Sequence, residues 1–483
     1  MHARPITSRT VAAGAALGLT AVLALTGCSD SSGVSADGTV EITLAGPNQW
    51  SEDGSSFGKP WEDLIARFEK AEPKIKVKTN VLPLNEFSKT LSTQLSAGTA
   101  PELVFYQSPH QPYMVHTLDE ELAKPNPYVP GNKKWLDLFK EKYFGPEGGI
   151  NARGKKEYIP FNVVSTGLFY NEAAFTKAGV RAPVKTFADL MTACGKLKQA
   201  GYAPLAMDGS DTGIGWTVKT ISNMVLDRYY DELNDYAPDG SKGTAETVTI
   251  KSWAKAVLTG DIDATKTPEV AESVKLVKQV FDNCATKNWS GIAPSSASVV
   301  NARDFSSGKA AMAWGTPFGY GDVAGSKGKV SSMPFPTITK ATTPLSTGTP
   351  ARFGAQVGGT SYMIPSNVKG AKYDAAVKFL QWMSVPANTQ KWLDETGALP
   401  VLNGSTAPET TKAMGEGDWS DRMKINGQPD GPKGVTVMSM YDGYLLGSKS
   451  LDETLKGLQS SWTKRAEEQV KDNEWSGEPW AKG

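Results

Sequence analysis

The stretch IKVKTNVLPLNEFSKTLSTQLSAGTAPELVFY, residues 75–106, decides the fold. Ile75, Val77, Thr79 and Val81 alternate with polar neighbours, the two-residue period of a half-buried strand. Phe87, Leu91 and Leu95 then recur every four residues up to Gly98, one face of a helix with its stop signal. Pro101-Glu-Leu-Val-Phe-Tyr106 returns to an apolar run of strand length. Upstream, Thr39 to Leu44 predicts a strand that Ala45 to Trp50 breaks into a loop. A helix follows, opened by Pro60, with Trp61, Leu64, Ile65 and Phe68 on one stripe. Strand, helix, strand, helix, strand is the pattern of a doubly wound α/β sheet.

A second unit begins after Tyr158-Ile-Pro160. Its pattern predicts a strand over 163–170 and helices over 171–179, 186–201 (Thr186 as N-cap) and 270–284. A buried strand over 310–314, a strand over 361–364 and helices over 373–383 and 451–470 follow. The Gly, Ser, Thr and Pro run near 341–350 predicts a surface loop or crossover, and no short-period repeat occurs. With 483 residues, 39% hydrophobic and 21% charged, the chain is long enough for two domains or one discontinuous pair.

The N-terminal segment carries Arg4 and Arg9, then an uncharged run from Val11 to Thr26, the layout of an export signal. Its end, Leu25-Thr26-Gly27-Cys28, resembles a bacterial lipobox, which implies a signal over 1–27, a lipidated Cys28 and a membrane anchored through acyl chains. Residues 28–38 are small and polar, a flexible tether. Acids and bases balance at 51 each; loss of Arg4 and Arg9 with the signal leaves the mature chain near −2, which argues against nucleic acid as a partner. The remaining cysteines, Cys194 and Cys284, fall on apolar helix faces. A disulfide and two separate buried thiols both fit that placement.

Several further segments, taken in order, resemble the extracellular solute-binding proteins of ABC importers, in the carbohydrate-binding group that includes maltose-binding protein. They are QLSAG at 94–98, PELVF at 101–105, IPFNVVSTGLFYN at 159–171, FTKAG at 175–179, TFADL at 186–190, FSSGKAAM at 305–312, GGTSYMI at 358–364, AAVKFL at 375–380 and GALP at 397–400. The resemblance implies a type II periplasmic-binding-protein-like fold, two α/β lobes with a ligand cleft at the hinge. It assigns 39–157 with 333–388 to lobe one and 158–332 with 389–483 to lobe two. It further implies a monomer on the outer face of the cell membrane that hands a small carbohydrate to ABC permease subunits, with no cofactor, no metal and no catalytic residue.

A saccharide presents hydroxyl edges and C–H faces, so its site needs aromatic plates and planar or charged hydrogen-bond partners in a cleft. Loops at strand ends carry such residues. Asn48, Gln49 and Trp50 follow the first strand, and Tyr106 and Gln107 end the third. Phe161 and Asn162 lie at the crossover; Asp211 and Trp216 lie in a Gly-rich loop and the helix after it. Trp314 and Phe318 flank the loop after the 310–314 strand, and Gly359, beside Gly358, allows close backbone approach. By the resemblance, Tyr106 and Phe318 match stacking aromatics and Asp211 a carboxylate. The family's acid and arginine after Tyr106 are replaced by Pro109 and His110, which makes maltose itself a poor candidate. Tyr441 and Asp442 are weaker candidates. A cargo change to a polyol phosphate or peptide, for which Arg352 is the nearest cation, and a secreted glycoside hydrolase with paired carboxylates are the alternatives. No Gly-x-Ser-x-Gly, His-Glu-x-x-His or Walker pattern occurs.

Overall fold

The computed structural model describes residues 34–482 apart from 49–54, 84–85, 109, 145–148, 150, 152, 246, 297, 351–355, 358 and 416–426. The lipobox with Cys28, Gln49, Trp50, Pro109, Arg352 and Gly358 therefore lie outside the described residues.

The 75–106 pattern folds as read. Strand β1 (Val40–Pro47) pairs in parallel with β2 (Ile75–Leu82) and with β3 (Leu103–Phe105). Helices Lys59–Ala71 and Phe87–Ala97 connect them. The break expected at Ala45 comes three residues later: β1 keeps its register with β2 as far as Pro47 and Leu82, because Gly46 fits beneath Phe105 and Tyr362. Pro47 then ends the ladder at the strand terminus, where its missing N–H costs nothing.

The single strand expected over 163–170 is two short pieces, β5 (Asn162–Val164) and β6 (Gly167–Asn171), and β4 (Ile159–Pro160) precedes them. They serve three different sheets, since the chain crosses from one lobe to the other here. Strands β7 (Ala203–Ala206), β8 (Ala310–Gly315) and β9 (Val330–Met333) join β6 in the order β7-β8-β6-β9. Strands β10 (Gln356–Val357), β11 (Ser361–Met363) and β12 (Leu399–Pro400) return to the first half. β11 completes the first sheet, β2-β1-β3-β11-β4, while β10 and β12 flank β5 in a small hinge sheet.

Two apolar cores result. The first holds Trp61, Leu64, Phe68, Phe105, Tyr362 and Phe379, with Phe68 edge-on to Phe379 at 5.0 Å. The second holds Leu190, Leu205, Met224, Val277, Trp314 and Trp462. The first core also reaches Phe169, Ala313 and Val330 of the second sheet. Trp392, beyond the boundary expected at 388, meets Trp61 edge-on at 5.3 Å, so helix Pro386–Thr396 packs on helix Lys59–Ala71. Phe335 and Ile338, expected in lobe one, lie in the second core. The chain thus passes between the halves three times: between β4 and β6, between β9 and β11, and between β12 and the C-terminal helix Leu451–Asp472.

Cys194, on helix Phe187–Gln199, is disulfide-bonded to Cys284, the last residue of helix Pro268–Cys284, with Cα atoms 5.2 Å apart. Both cysteines are fully buried. Of the two readings of these cysteines, the structure selects the bridge. No helix among the described residues is long and apolar enough to cross a membrane.

Candidate functional site

Strand register brings the predicted strand-end loops onto two edges. β4 and β3 both run antiparallel to β11, so the C-ends of β3 and β4 share one sheet edge with the start of β11. In the second sheet β7 is parallel to β8, while β6 is antiparallel to β8 and β9. The C-ends of β7, β8 and β9 therefore share an edge with the start of β6. Only residues 161–166 separate the end of β4 from the start of β6, at most about 20 Å of extended chain. The two strand-end edges thus flank the hinge, the crevice where open α/β sheets bind ligands.

On the first edge, Asn48 is half-buried, its N–H bonded to the Leu82 carbonyl at 2.8 Å. Tyr106 follows β3 directly, its N–H donating to the Ser361 carbonyl at 2.9 Å. Its ring lies 3.8 Å from that of Tyr158, tilted by 32°. Burial, then the field of Glu157, raises its phenol pKa, so it works as a neutral aromatic plate with a hydroxyl. Gln107 is exposed. His110, which sequence alone leaves as a loop histidine, is held tightly. Its Nδ1 meets the Ser108 carbonyl at 2.8 Å and its Nε2 meets Glu157 Oε2 at 3.2 Å. Glu157 is 5% exposed and accepts a second bond from Asn151.

Burial lowers the His110 pKa, but Glu157 and the Ser108 carbonyl outweigh it and the net shift is upward from 6.5. A histidine raised in this way stabilises the fold fully below its unfolded pKa, and that contribution is lost as pH rises through the folded value. The difference in unfolding temperature between wild type and His110→Gln should therefore be largest near pH 5.5 and shrink by pH 8. A difference that grows with pH would contradict the pairing.

On the second edge, Asp211 opens helix Asp211–Val225 and is exposed, its Oδ1 accepting from Met438 N–H at 2.5 Å. Trp216 is half-buried one turn further on, and Phe318 is half-buried in the turn Pro317–Gly319 after β8. Asp211 and Trp216 border a cavity of about 340 Å³ with Lys219, Asp430 and Thr436, where Lys219 meets Asp430 at 3.2 Å. Sequence reasoning missed Asp430 and Thr436 because they reach this wall from more than 200 positions along the chain, with no local motif.

Four expected ligand contacts are interior instead. Trp314 has no exposed surface and stacks on Phe335 at 5.1 Å and 6°, filling the second core. Phe161 is buried beside Tyr362 in the first. Asn162 is fully buried, its Oδ1 accepting from Thr360 N–H. Gly359 is buried against it: an added Cβ would stand 2.5 Å from Asn162 Oδ1 and 2.7 Å from Val164 Cγ2. Asn162 and Gly359 thus close the hinge sheet rather than line the cleft. Tyr441 is likewise buried, hydrogen-bonded to Gln428 at 2.5 Å, and Asp442 bonds the N–H of Gly443. No group of three or more His, Cys, Asp or Glu among the described residues could hold a metal ion.

Two α/β lobes, a hinge of crossing strands and facing strand-end edges define a two-lobed binding protein. The chain belongs to the bacterial extracellular solute-binding protein family, whose profile matches residues 63–416. It is 24% identical over 449 residues to the sn-glycerol-3-phosphate-binding periplasmic protein UgpB of Salmonella typhimurium, covering 86% of this chain and 87% of that protein. It is 26% identical over 256 residues to the putative binding protein BAB2_0491 of Brucella abortus, where the match spans about half of either chain, 52%. In fold it is similar to RafE in complex with raffinose (TM-score 0.63, 17% identity, 89% of this chain and 100% of that one). It is likewise similar to a chitin oligosaccharide binding protein (TM-score 0.60, 17% identity, 89% and 99%).

Proposed function

We propose that the protein captures a mono- or oligosaccharide between its lobes and delivers it unchanged to the membrane subunits of an ABC importer. The observation that carries this reading is the pairing of aromatic and polar groups on the two facing edges. Tyr106, stacked on Tyr158, stands on one; Trp216, Phe318 and Asp211 stand on the other. Each edge supplies a plate for a sugar face and acceptors or donors for its hydroxyls. Ligand touching both edges stabilises the closed arrangement over the open one, and that differential affinity is all that capture requires. Gln49 and Trp50, which follow Asn48 in the sequence, complete the proposed set of contacts. The hydrolase alternative is disfavoured because the edge carboxylates are engaged, Glu157 by His110 and Asn151 and Asp211 by the Met438 N–H.

Tyr106→Ala and Phe318→Ala should each weaken saccharide binding about 10- to 100-fold, the range of a buried aromatic anchor. Titration calorimetry measures this against a ligand found by thermal-shift screening, and both variants should keep wild-type far-ultraviolet spectra. Unaltered affinity in both would move the site elsewhere.

A second reading, a phosphorylated polyol as cargo, is favoured by the similarity to the sn-glycerol-3-phosphate-binding protein across most of both chains. A screen in which glycerol phosphate raises the unfolding temperature and sugars do not selects it. Cys28 as the lipidated first residue of the mature chain completes the proposal: Cys28→Ser should move the protein from the membrane fraction to the medium.

A further inference from the structure

A cavity of about 450 Å³ lies beside the hinge sheet, away from every residue assigned to the cleft. One wall is Lys140 and Tyr143 of the first lobe, the floor is Leu399 and Pro400 of β12, and the other wall is Ser405 with Lys412 of helix Glu409–Gly415.

Lys140 is half-buried. Its Nζ donates to the Pro400 carbonyl at 3.1 Å, and no carboxylate of the described residues stands within ion-pair range. Burial, then the neighbouring charge of Lys142, hold its pKa below the usual lysine value. A half-buried ammonium with one neutral acceptor retains two N–H donors and an uncompensated charge. The Ser405 hydroxyl lies on the same cavity; the residue is 8% exposed, and its oxygen has no hydrogen-bond partner among the described residues. Lys412 adds a second cation, 3.5 Å from an almost fully exposed Glu409. Cationic and hydroxyl donors gathered on one cavity suit an oxyanion.

We propose that this cavity is a binding site for a small oxyanion, phosphate or carboxylate, held by Lys140 with Lys412 and Ser405.

The walls meet at the hinge sheet. Lys140 is tied to β12, which pairs with the crossing strand β5. Helix Glu409–Gly415 packs on β9 and also on β12, with the Thr411 hydroxyl donating to the Gly397 carbonyl and Met414 abutting Gly167 at the start of β6. An anion bridging the two lysines therefore braces this helix against the hinge sheet, and if that bracing changes cargo affinity, cargo changes anion affinity by the same factor. The site stands whether the cleft takes a sugar or another solute.

The test uses inorganic phosphate on the mature full-length chain, with chloride replacing it at constant ionic strength and the cleft left without cargo. Wild type should show a saturable rise in unfolding temperature and saturable ³¹P line broadening. Lys140→Met, which keeps the aliphatic stem, should weaken binding at least about tenfold, as expected for loss of a charged donor. Lys412→Gln should weaken it about threefold, and Lys456→Gln, an exposed lysine of helix Leu451–Asp472 paired with Asp452, should leave it unchanged. Replacing phosphate by acetate and citrate decides between the two anion types. No saturable response in folded wild type at 10 mM of each anion (about a hundred times the protein concentration needed for the spectra), or equal responses from wild type and folded Lys140→Met, would overturn the assignment. Failure of the cleft variants to lose saccharide binding would leave it untouched.

Discussion

Replacing both Cys194 and Cys284 by alanine is expected to destabilise the second lobe by about 4 kcal/mol, the chain-entropy value for a long loop. The bridge closes a separation of 90 residues, which includes β7 and the helix that carries Asp211 and Trp216. It ties helix Phe187–Gln199 to helix Pro268–Cys284, and both thiols sit in the apolar second core. Such a loss should lower the unfolding temperature of a lobe of some 200 residues by about 10 °C. Calorimetry of the double variant measures it directly. Mild reductant acting on the folded wild type should have a smaller effect, because both sulfurs are shielded from solvent. A change under about 1 kcal/mol would mean that the unfolded chain is already restrained in this region.

Gly397→Ala should cost about 3 kcal/mol and alter the hinge as well. Gly397 ends helix Pro386–Thr396 in the left-handed conformation, φ 69°. An alanine there carries roughly 1–2 kcal/mol of backbone strain. Its Cβ would also fall 2.4 Å from Tyr320 Cβ and 2.6 Å from Cγ, close to the tyrosine backbone, so about 1–3 kcal/mol of overpacking is added. Tyr320 opens the short helix after Phe318, whereas Ala398 and Leu399 beside Gly397 lie in the first core. The contact therefore joins the approach to hinge strand β12 to the helix that follows β8. Chemical denaturation gives the cost, and small-angle scattering should show a larger radius of gyration. A double-mutant cycle with Tyr320→Gly isolates the clash from the strain; additivity would show that the two residues do not press on one another.

Local patterns made the lobes legible. Trp61, Leu64, Ile65 and Phe68 lie buried on one helix face, and Thr186 caps its helix through Asp189 N–H, both as the spacing requires. Chain crossings were less legible. In VVSTGLFY at 163–170 only Ser165 and Gly167 hint at a break, and a single glycine is too weak a mark between two apolar runs; the break exists because two sheets compete for the segment. For the site, strand-end position singled out Tyr106, Asp211, Trp216 and Phe318, which stand on the two edges, yet an aromatic next to a strand end can face either way. Trp314 turned inward to Phe335, and the buried acid Glu157 escaped notice because its partner His110 lies 47 positions away. Pairings across such distances leave no periodic trace.

The triple passage between lobes also governs how the molecule comes into being. Neither half can finish its core from a contiguous run: the first waits for Trp392 to Leu402, the second for Leu455 to Ala466. A nascent chain emerging N-terminus first must hold β1 to β3 without β11 until more than 360 residues have appeared. Such high contact order slows folding, so the chain spends longer uncompacted than one of the same length built from two contiguous domains.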